Sequence, residues 1–306
     1  MNTIHVRAWH PLVCPQRIFR DKDGDSNAYV DTNPAFHLDA DGSCAILVRQ
    51  VNYRKFRDKS FKLGELRSIS GYHIFRGTYI DGVLSITHSE QLVSHTDFPT
   101  FPTYWLGAED LRFLDAHTIL ATYPELHPGG APRMVLGFLQ DSSITYDCLL
   151  EPSVRGEKNW MPFGAGGGVG IGVGDGGDVI YSVSPLAVKP LKHDVIRILA
   201  HDVPILSGYH GSTNGVAHLD GWLFLIHKYV ERTEHRWLFI DFNARTYAWS
   251  DPFVFMAYSY IEFPCSLTAA GPDLVVAIGI NDDKAYLATI MRTSVCLGEP
   301  VAFCES

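Results

Sequence analysis

Several things are scarce in this 306-residue sequence, and each shortage removes a class of protein. Basic residues are outnumbered: 25 Lys and Arg stand against 34 Asp and Glu, a formal charge of −9. A nucleic-acid partner, which needs a basic face for its phosphates, is therefore not expected. No apolar run approaches the roughly 18 to 20 residues that span a bilayer. The first twenty residues carry His, Arg and Pro throughout, so no signal-peptide apolar core of about 7 to 15 residues is found there. The six cysteines (Cys14, Cys44, Cys148, Cys265, Cys296 and Cys304) include no CxxC pair, which argues against a zinc knuckle or a dithiol redox site. The fourteen histidines include no HExxH pair, so no metal is expected, and a GxSxG elbow is missing. Scattered, reduced thiols fit a cytoplasmic protein.

Helical periodicity is scarce too. What fills the sequence is short apolar or alternating runs: 45–48, 83–87, 179–182, 222–227, 237–241, 274–280 and 286–290. Asp41-Gly42, Asp81-Gly82 and Asp220-Gly221 precede several of them. Asp-Gly ahead of an apolar run is a hairpin signal, because glycine accepts positive φ without a Cβ clash. The expected class is all-β.

Five segments open alike, with a polar turn-like motif followed by apolar strand. They begin at Asn33 (NPAF), Glu109 (EDLRF), Lys158 (KNWMPF), Gly211 (GSTN) and Ile261 (IEFPC), at intervals of 76, 49, 53 and 50 residues. A period near 50 suits a four-stranded propeller blade. The expectation is a single five-bladed β-propeller domain over 1–306, with an insertion between about 54 and 100. The innermost strands of such a ring begin around one axis, so polar motifs at their starts would gather into one pocket.

Those motifs carry recognisable chemistry, each beside a plainer alternative. Glu109 and Asp110 are carboxylates suited to general acid or base work, or a surface ion pair with Arg112. Strand alternation predicts that only one of the two acids faces the channel, with Arg112 on the same side as Asp110. Lys158 offers a point charge for phosphate and Asn159 bonds for hydroxyls, or the lysine is simply solvated. Trp160 is a candidate platform for a sugar ring, or a core aromatic. His210 and His227 are candidate ligands, or satisfied strand histidines. Asp282 lies in an Asx-rich stretch expected at a blade turn, and Arg49 holds the matching place in the first unit. The glycines at 172, 174 and 177 match GxGxxG but precede a strand where a dinucleotide fold needs a helix. The run 164–177 reads instead as a loop or glycine-padded hairpin, and as a candidate lid.

Taken together, the motifs resemble the five-bladed propeller enzymes of glycoside hydrolase family 130, the mannoside phosphorylases, and the β-mannosyltransferases that share their fold. Glu109-Asp110-Leu111-Arg112 is similar to the family's Glu-Asp-Pro-Arg and Lys158-Asn159 to its Lys-Asn. Gly221-Trp222-Leu223 through His227 is similar to its Gly-Trp-Leu…Tyr-His, Phe263-Pro264-Cys265 to its Phe-Pro-Cys, and Gly279 to Asp282 to its Gly-Ala-Ala-Asp. The resemblance implies Asp110 as general acid acting through a substrate hydroxyl, with Glu109 and Arg112 beside it. It implies Lys158 and His227 on phosphate or a nucleotide diphosphate, Asn159 and Asp282 on the sugar, and Arg49 as a further contact to the anion. Trp160 and His210 complete the expected substrate contacts. Transfer would be inverting, of a mannose-like group to or from phosphate, nucleotide or an acceptor sugar. No cofactor is expected, with inorganic phosphate or GDP-mannose as co-substrate. Leu111 replaces the family's Pro, His210-Gly211-Ser212-Thr213 replaces its Gly-Ala-Gly, and Thr122-Tyr123-Pro124 stands where a second arginine is expected. Those departures weaken phosphorolysis and keep hydrolysis, or glycan binding without turnover, as alternatives.

Overall fold

The computed structural model describes residues 2–20, 24–55, 61–63, 67–150, 158–164, 177–193 and 195–304. Its architecture is all-β, a five-bladed propeller in which each blade is an antiparallel meander running outward from the axis. The first blade comprises Val30–Leu38, Ser43–Val51, Ser68–Ile80 and Val83–Thr96. The second comprises Glu109–Phe113, Thr118–Thr122, Met134–Gln140 and Ser143–Leu149. In the third, Met161–Phe163, Asp178–Ser182, Leu186–Pro190 and Arg197–Ala200 follow one another. The fourth has an interrupted inner strand, His210–Gly211 and Val216–His218, then Gly221–Tyr229, Thr233–Asp241 and Thr246–Trp249. The fifth has Glu262–Ala270, Asp273–Ile280 and Lys284–Met291, and takes its outermost strand, Ala8–Leu12, from the other end of the chain.

The stretch after Lys55, where an insertion was expected, holds the two longest strands among the described residues, both part of the first blade. They meet in a two-residue turn, Asp81 (φ +52°) and Gly82 (φ +80°), between paired Ile80 and Val83. Two positive φ values make a mirror-image turn whose twist matches that of the strands it joins, as the Asp-Gly signal predicted. The far end of Val83–Thr96 pairs in parallel with Ser143–Leu149, stitching the first blade to the second.

Packing explains why the strands next to the innermost are apolar on both faces. Five cores lie between blades, one for each neighbouring pair. Leu274, Val276 and Ile278 face the fourth blade, while Val275 and Ala277 on the same strand face the first. Leu223 and Leu225 face the fifth blade, and Phe224 and Ile226 the third. Leu120, Met134 and Leu136 meet Trp160 and Val179 between the second and third blades. Side chains alternate along a strand as pleating requires, but both faces are covered by neighbours, so no polar face is left to break the run.

The core between the fifth and first blades includes Leu12, 5% exposed, from the N-terminal strand. Truncating it with Leu12→Ala is expected to lower the unfolding free energy by about 2 to 5 kcal/mol in urea denaturation. A change near zero would show that this strand does not seal the ring.

Candidate active site

All five inner strands begin on one face of the ring. Register places Thr32 opposite Arg49, Glu109 opposite Thr122, His210 opposite His227 and Glu262 opposite Ile280. Lys158-Asn159 directly precedes Met161–Phe163, and Asp282 sits in the turn after Ile280. The residues singled out by the repeat therefore share one rim.

The backbone at that rim is irregular in a repeated way. Asn33, Asp110 and Asn159 occupy corresponding places in the first three blades and all have positive φ, +40°, +50° and +64°. Asn and Asp tolerate this region better than other residues that carry a Cβ. In the first two blades the same place holds a bulge: three inner-strand steps (Thr32 to Ala35, Glu109 to Arg112) oppose two on the partner strand. A bulge re-aims side chains, and here it suspends alternation. Glu109 and Asp110 consequently face the same way, contrary to the expectation that only one could point inward. Arg49 Nη2 donates to Glu109 Oε1 at 2.5 Å, and its Nη1 lies 3.6 Å from Asp110 Oδ1.

Asp110 is also held from the first blade. Thr32 Oγ1 donates to Asn33 Oδ1 (2.9 Å), which turns the Asn33 amide so that Nδ2 donates to Asp110 Oδ1 (2.9 Å). The fit depends on Gly279 of the fifth blade, where a Cβ would lie 2.4 Å from Asn33 Oδ1. Arg49 has further ties, donating from Nε and Nη2 to Ser70 Oγ at 2.9 and 2.8 Å. Burial works against its charge, but the Glu109 carboxylate, then Tyr53, Tyr72 and Asp110, hold the guanidinium well above its usual value. Tyr53 is raised, chiefly by burial and, against the opposing Arg49, by Asp282, Glu109 and Asp110. It stays a phenol beside three carboxylates. The buried Cys265 thiol is pushed up by burial and then by Asp110, with Asp282 acting the same way, which brings the acids of the second and fifth blades to one place.

Across the axis lies a basic half. His210 and His227 have ring centroids 5.9 Å apart, and His227 meets Phe263 edge to face at 5.0 Å. The His227 ring is held well below its usual pKa by burial first, then by His235, His210, Arg112 and Lys158. His210 is lowered by burial and Lys158. The ammonium of exposed Lys158 thus bears on both rings. Behind them, His235 and Glu262 are sealed together, Nε2 to Oε2 at 3.1 Å. Glu262 also accepts from the Phe255 and Met256 amides and the Ser259 hydroxyl. Burial would raise its carboxyl, but the His235 and other hydrogen bonds outweigh it and lower the pKa.

Arg112 joins the two halves. It is 0% exposed, donating from Nη1 to the Asp110 carbonyl (3.0 Å) and from Nε to the Ser212 carbonyl in the fourth blade (2.8 Å). It thereby ties the second blade to the fourth. Gly211 allows the fourth blade to close in, since a Cβ there would lie 2.2 Å from the Asn159 carbonyl oxygen.

Four expectations need correcting. Trp160 is 0% exposed, packed between the second and third blades with Lys189 Nζ 4.2 Å from its ring centroid, and cannot stack on a sugar. Arg112 braces the backbone and does not reach substrate. Arg49 is buried and committed to Glu109, Asp110 and Ser70, so it is not open to an anion. His227 is held neutral, so it offers an anion a hydrogen bond and no charge. Residues 165–176 of the candidate lid lie outside the described residues. Asn33, Tyr53, Ser70 and Ser212 were not chosen as site residues from sequence. Their positions follow from bulges and cross-blade contacts, although Asn33 already stood out as a repeat anchor. Among the described residues no cluster of three His, Cys, Asp or Glu is placed to hold a metal. Two other cavities, about 390 Å³ beside Trp249 and Cys296 and about 550 Å³ between the turns at Asp41 and Pro272, contain none of the rim residues.

Solved structures of the same shape exist. β-1,2-Mannobiose phosphorylase from Listeria innocua superposes with a TM-score of 0.54 at 14% identity, over 94% of this chain and 93% of that one. A protein from a study of glycoside hydrolase family 130, described with hydrolases that target β-1,2-mannosidic linkages in Candida mannan, gives 0.60 at 13% identity over 99% of each chain. This chain shares their fold. A glycosyl hydrolase from Bacteroides ovatus gives 0.55 at 14% identity, over 95% and 92%. No protein-family model and no curated protein matches the sequence.

The histidines make stability depend on pH. His10, His73, His210, His218 and His227 all lie below the ordinary value of 6.5. Below that pH the unfolded chain binds more protons than the folded one, so unfolding free energy falls as pH drops. Urea denaturation at pH 7.5, 6.5 and 5.5 should show a steady decline, and His227→Gln should make it shallower. A flat profile would contradict the burial of these rings.

Proposed function

We propose that this chain is a carbohydrate-active enzyme that transfers a mannose-like glycosyl group with inversion, and that 1–306 acts as one propeller domain. The observation that carries the reading is the position of Asp110. Its Oδ1 is held by Asn33, and Oδ2 has no hydrogen-bond partner among the described residues, while Lys158, His210 and His227 stand at the inner-strand starts of the third and fourth blades. Asp110 serves as the general acid, passing its proton to the leaving oxygen through a substrate hydroxyl, as the family resemblance implies. Tyr53 and Glu109 border it, and Asp282 and Asn159 hold sugar hydroxyls. Lys158 attracts the anionic co-substrate, phosphate or a nucleotide diphosphate, while His210 and His227 supply hydrogen bonds. The attacking oxygen approaches the anomeric carbon opposite the leaving group. No cofactor takes part. The acidic composition, and the lack among the described residues of a helix long and apolar enough to cross a membrane, are compatible with action on sugars in the cytoplasm.

Hydrolysis is the second reading, and the cations favour it. Of the groups expected to meet an anion, Arg49 is paired and His227 is neutral, which leaves Lys158 to attract phosphate. Water needs no such charge. The hydrolases described with a neighbouring fold make β-1,2-mannosides the first substrates to try.

Incubation with β-1,2-mannobiose, with and without phosphate, and with GDP-mannose plus acceptor sugars, tests these readings together. Mannose 1-phosphate marks phosphorolysis, free mannose without phosphate dependence marks hydrolysis, and a new glycoside from GDP-mannose marks transfer. Asp110→Asn is expected to lower turnover by about 10² to 10⁴. Turnover equal to wild type would remove Asp110 from the chemistry. Lys158→Ala is expected to raise KM for phosphate in a phosphorylase and to leave phosphate-independent hydrolysis nearly unchanged.

A further inference from the structure

Ser212 touches both halves of the rim, and nothing in the family resemblance assigns it a role: it stands in the stretch that departs from the Gly-Ala-Gly pattern. Its carbonyl accepts from Arg112, and its hydroxyl lies 2.6 Å from His227 Nδ1. The residue is 0% exposed. A buried hydroxyl seeks an acceptor, because leaving its proton unpaired costs the desolvation of that group. Among the described residues the Ser212 hydroxyl has no hydrogen-bond partner other than Nδ1. Were Nδ1 to carry the ring proton, both groups would be donors, and the serine proton would have nowhere to go. The serine therefore donates, Nδ1 accepts, and the single N–H of the neutral ring sits on Nε2.

Nε2 makes no hydrogen bond within the described residues, and His227 is partly exposed at the rim. The Phe263 edge contact and the strand pairing with His210 limit how the ring turns. We propose that Ser212 is a positioning residue that fixes His227 as its Nε2–H tautomer and so presents a hydrogen-bond donor to a substrate oxygen. The oxygen belongs to a phosphoryl group or to a sugar hydroxyl, since both accept the same bond. The presenting role rests on the proposed function, whereas the tautomer does not.

His210, His235, Arg112 and Lys158 all act against a charge on this ring, and among the described residues no carboxylate is hydrogen-bonded to it. Without Ser212's hydroxyl nothing among the described residues decides which nitrogen carries the proton, and the two tautomers then compete.

Long-range ¹H–¹⁵N correlation spectra of the ¹⁵N-labelled full chain at pH 7.5 give the tautomer directly, with His227→Gln providing the assignment. The wild type is expected to show the Nε2–H pattern, Ser212→Ala a mixture, and Ser212→Thr the wild-type pattern again. A wild-type Nδ1–H pattern, or an unchanged pattern in Ser212→Ala, overturns the proposal. Titrations with inorganic phosphate and with mannose in the same spectra identify the oxygen. The effective ligand should shift Nε2 and bind about tenfold more weakly to Ser212→Ala, as expected for one lost hydrogen bond. If the tautomer results hold but neither ligand, nor mannobiose or GDP-mannose, moves Nε2, then the positioning stands and the placement of His227 in a sugar site is what fails.

Discussion

A guanidinium sealed on the axis organises this molecule. Arg112 has water on no side, and it bonds from Nε and Nη1 to carbonyls of two blades that are not neighbours, while its buried Nη2 has no partner among the described residues. One bond anchors the positive-φ backbone of Asp110 and the other anchors Ser212, which in turn steers His227. Acid and base are thereby referred to one rigid group. The bond to Ser212 also ties the second blade to the fourth.

Charge is arranged around that arginine with an economy set by desolvation. Arg49 is buried only because two carboxylates and a serine hydroxyl meet it. Glu262 is buried on the strength of His235, two amides and a hydroxyl. His227 has no carboxylate partner among the described residues and is held neutral. The result is a rim with acids fixed on one side and hydrogen-bond donors on the other, joined to the solvent through Lys158.

The ring was legible in the sequence because its strands are apolar on both faces and its units open with similar motifs. Glu109, Asp110, Lys158, His210, His227 and Asp282 all reach the rim, for the reason the repeat suggested: inner strands begin at the axis. What was not legible is whatever depends on one residue's difference in register. The bulge at Asp110 turned two acids the same way where alternation allowed one. Trp160 went astray for a related reason, since a motif at a strand mouth does not say which of its residues turns inward to the core and which outward to the rim. Ser212 stood out only as part of a departure from the family's pattern, because a serine in a polar stretch carries no signal of its role until its neighbours are known.

The pairing of Ala8–Leu12 with Lys284–Met291 has a bearing on how the protein is made. Some 270 residues separate the two partners, so the most distant contact in the chain is also the one that finishes the circle. During synthesis the early blades emerge with an uncovered flank, and the strand destined to fasten the fifth blade waits unpaired until that blade has been made. Contacts between chain ends contribute nothing until the intervening loop entropy has been overcome, which slows the final step. A nascent chain in that condition carries an open edge and an apolar face, and those are the features that chaperones bind and that aggregation exploits.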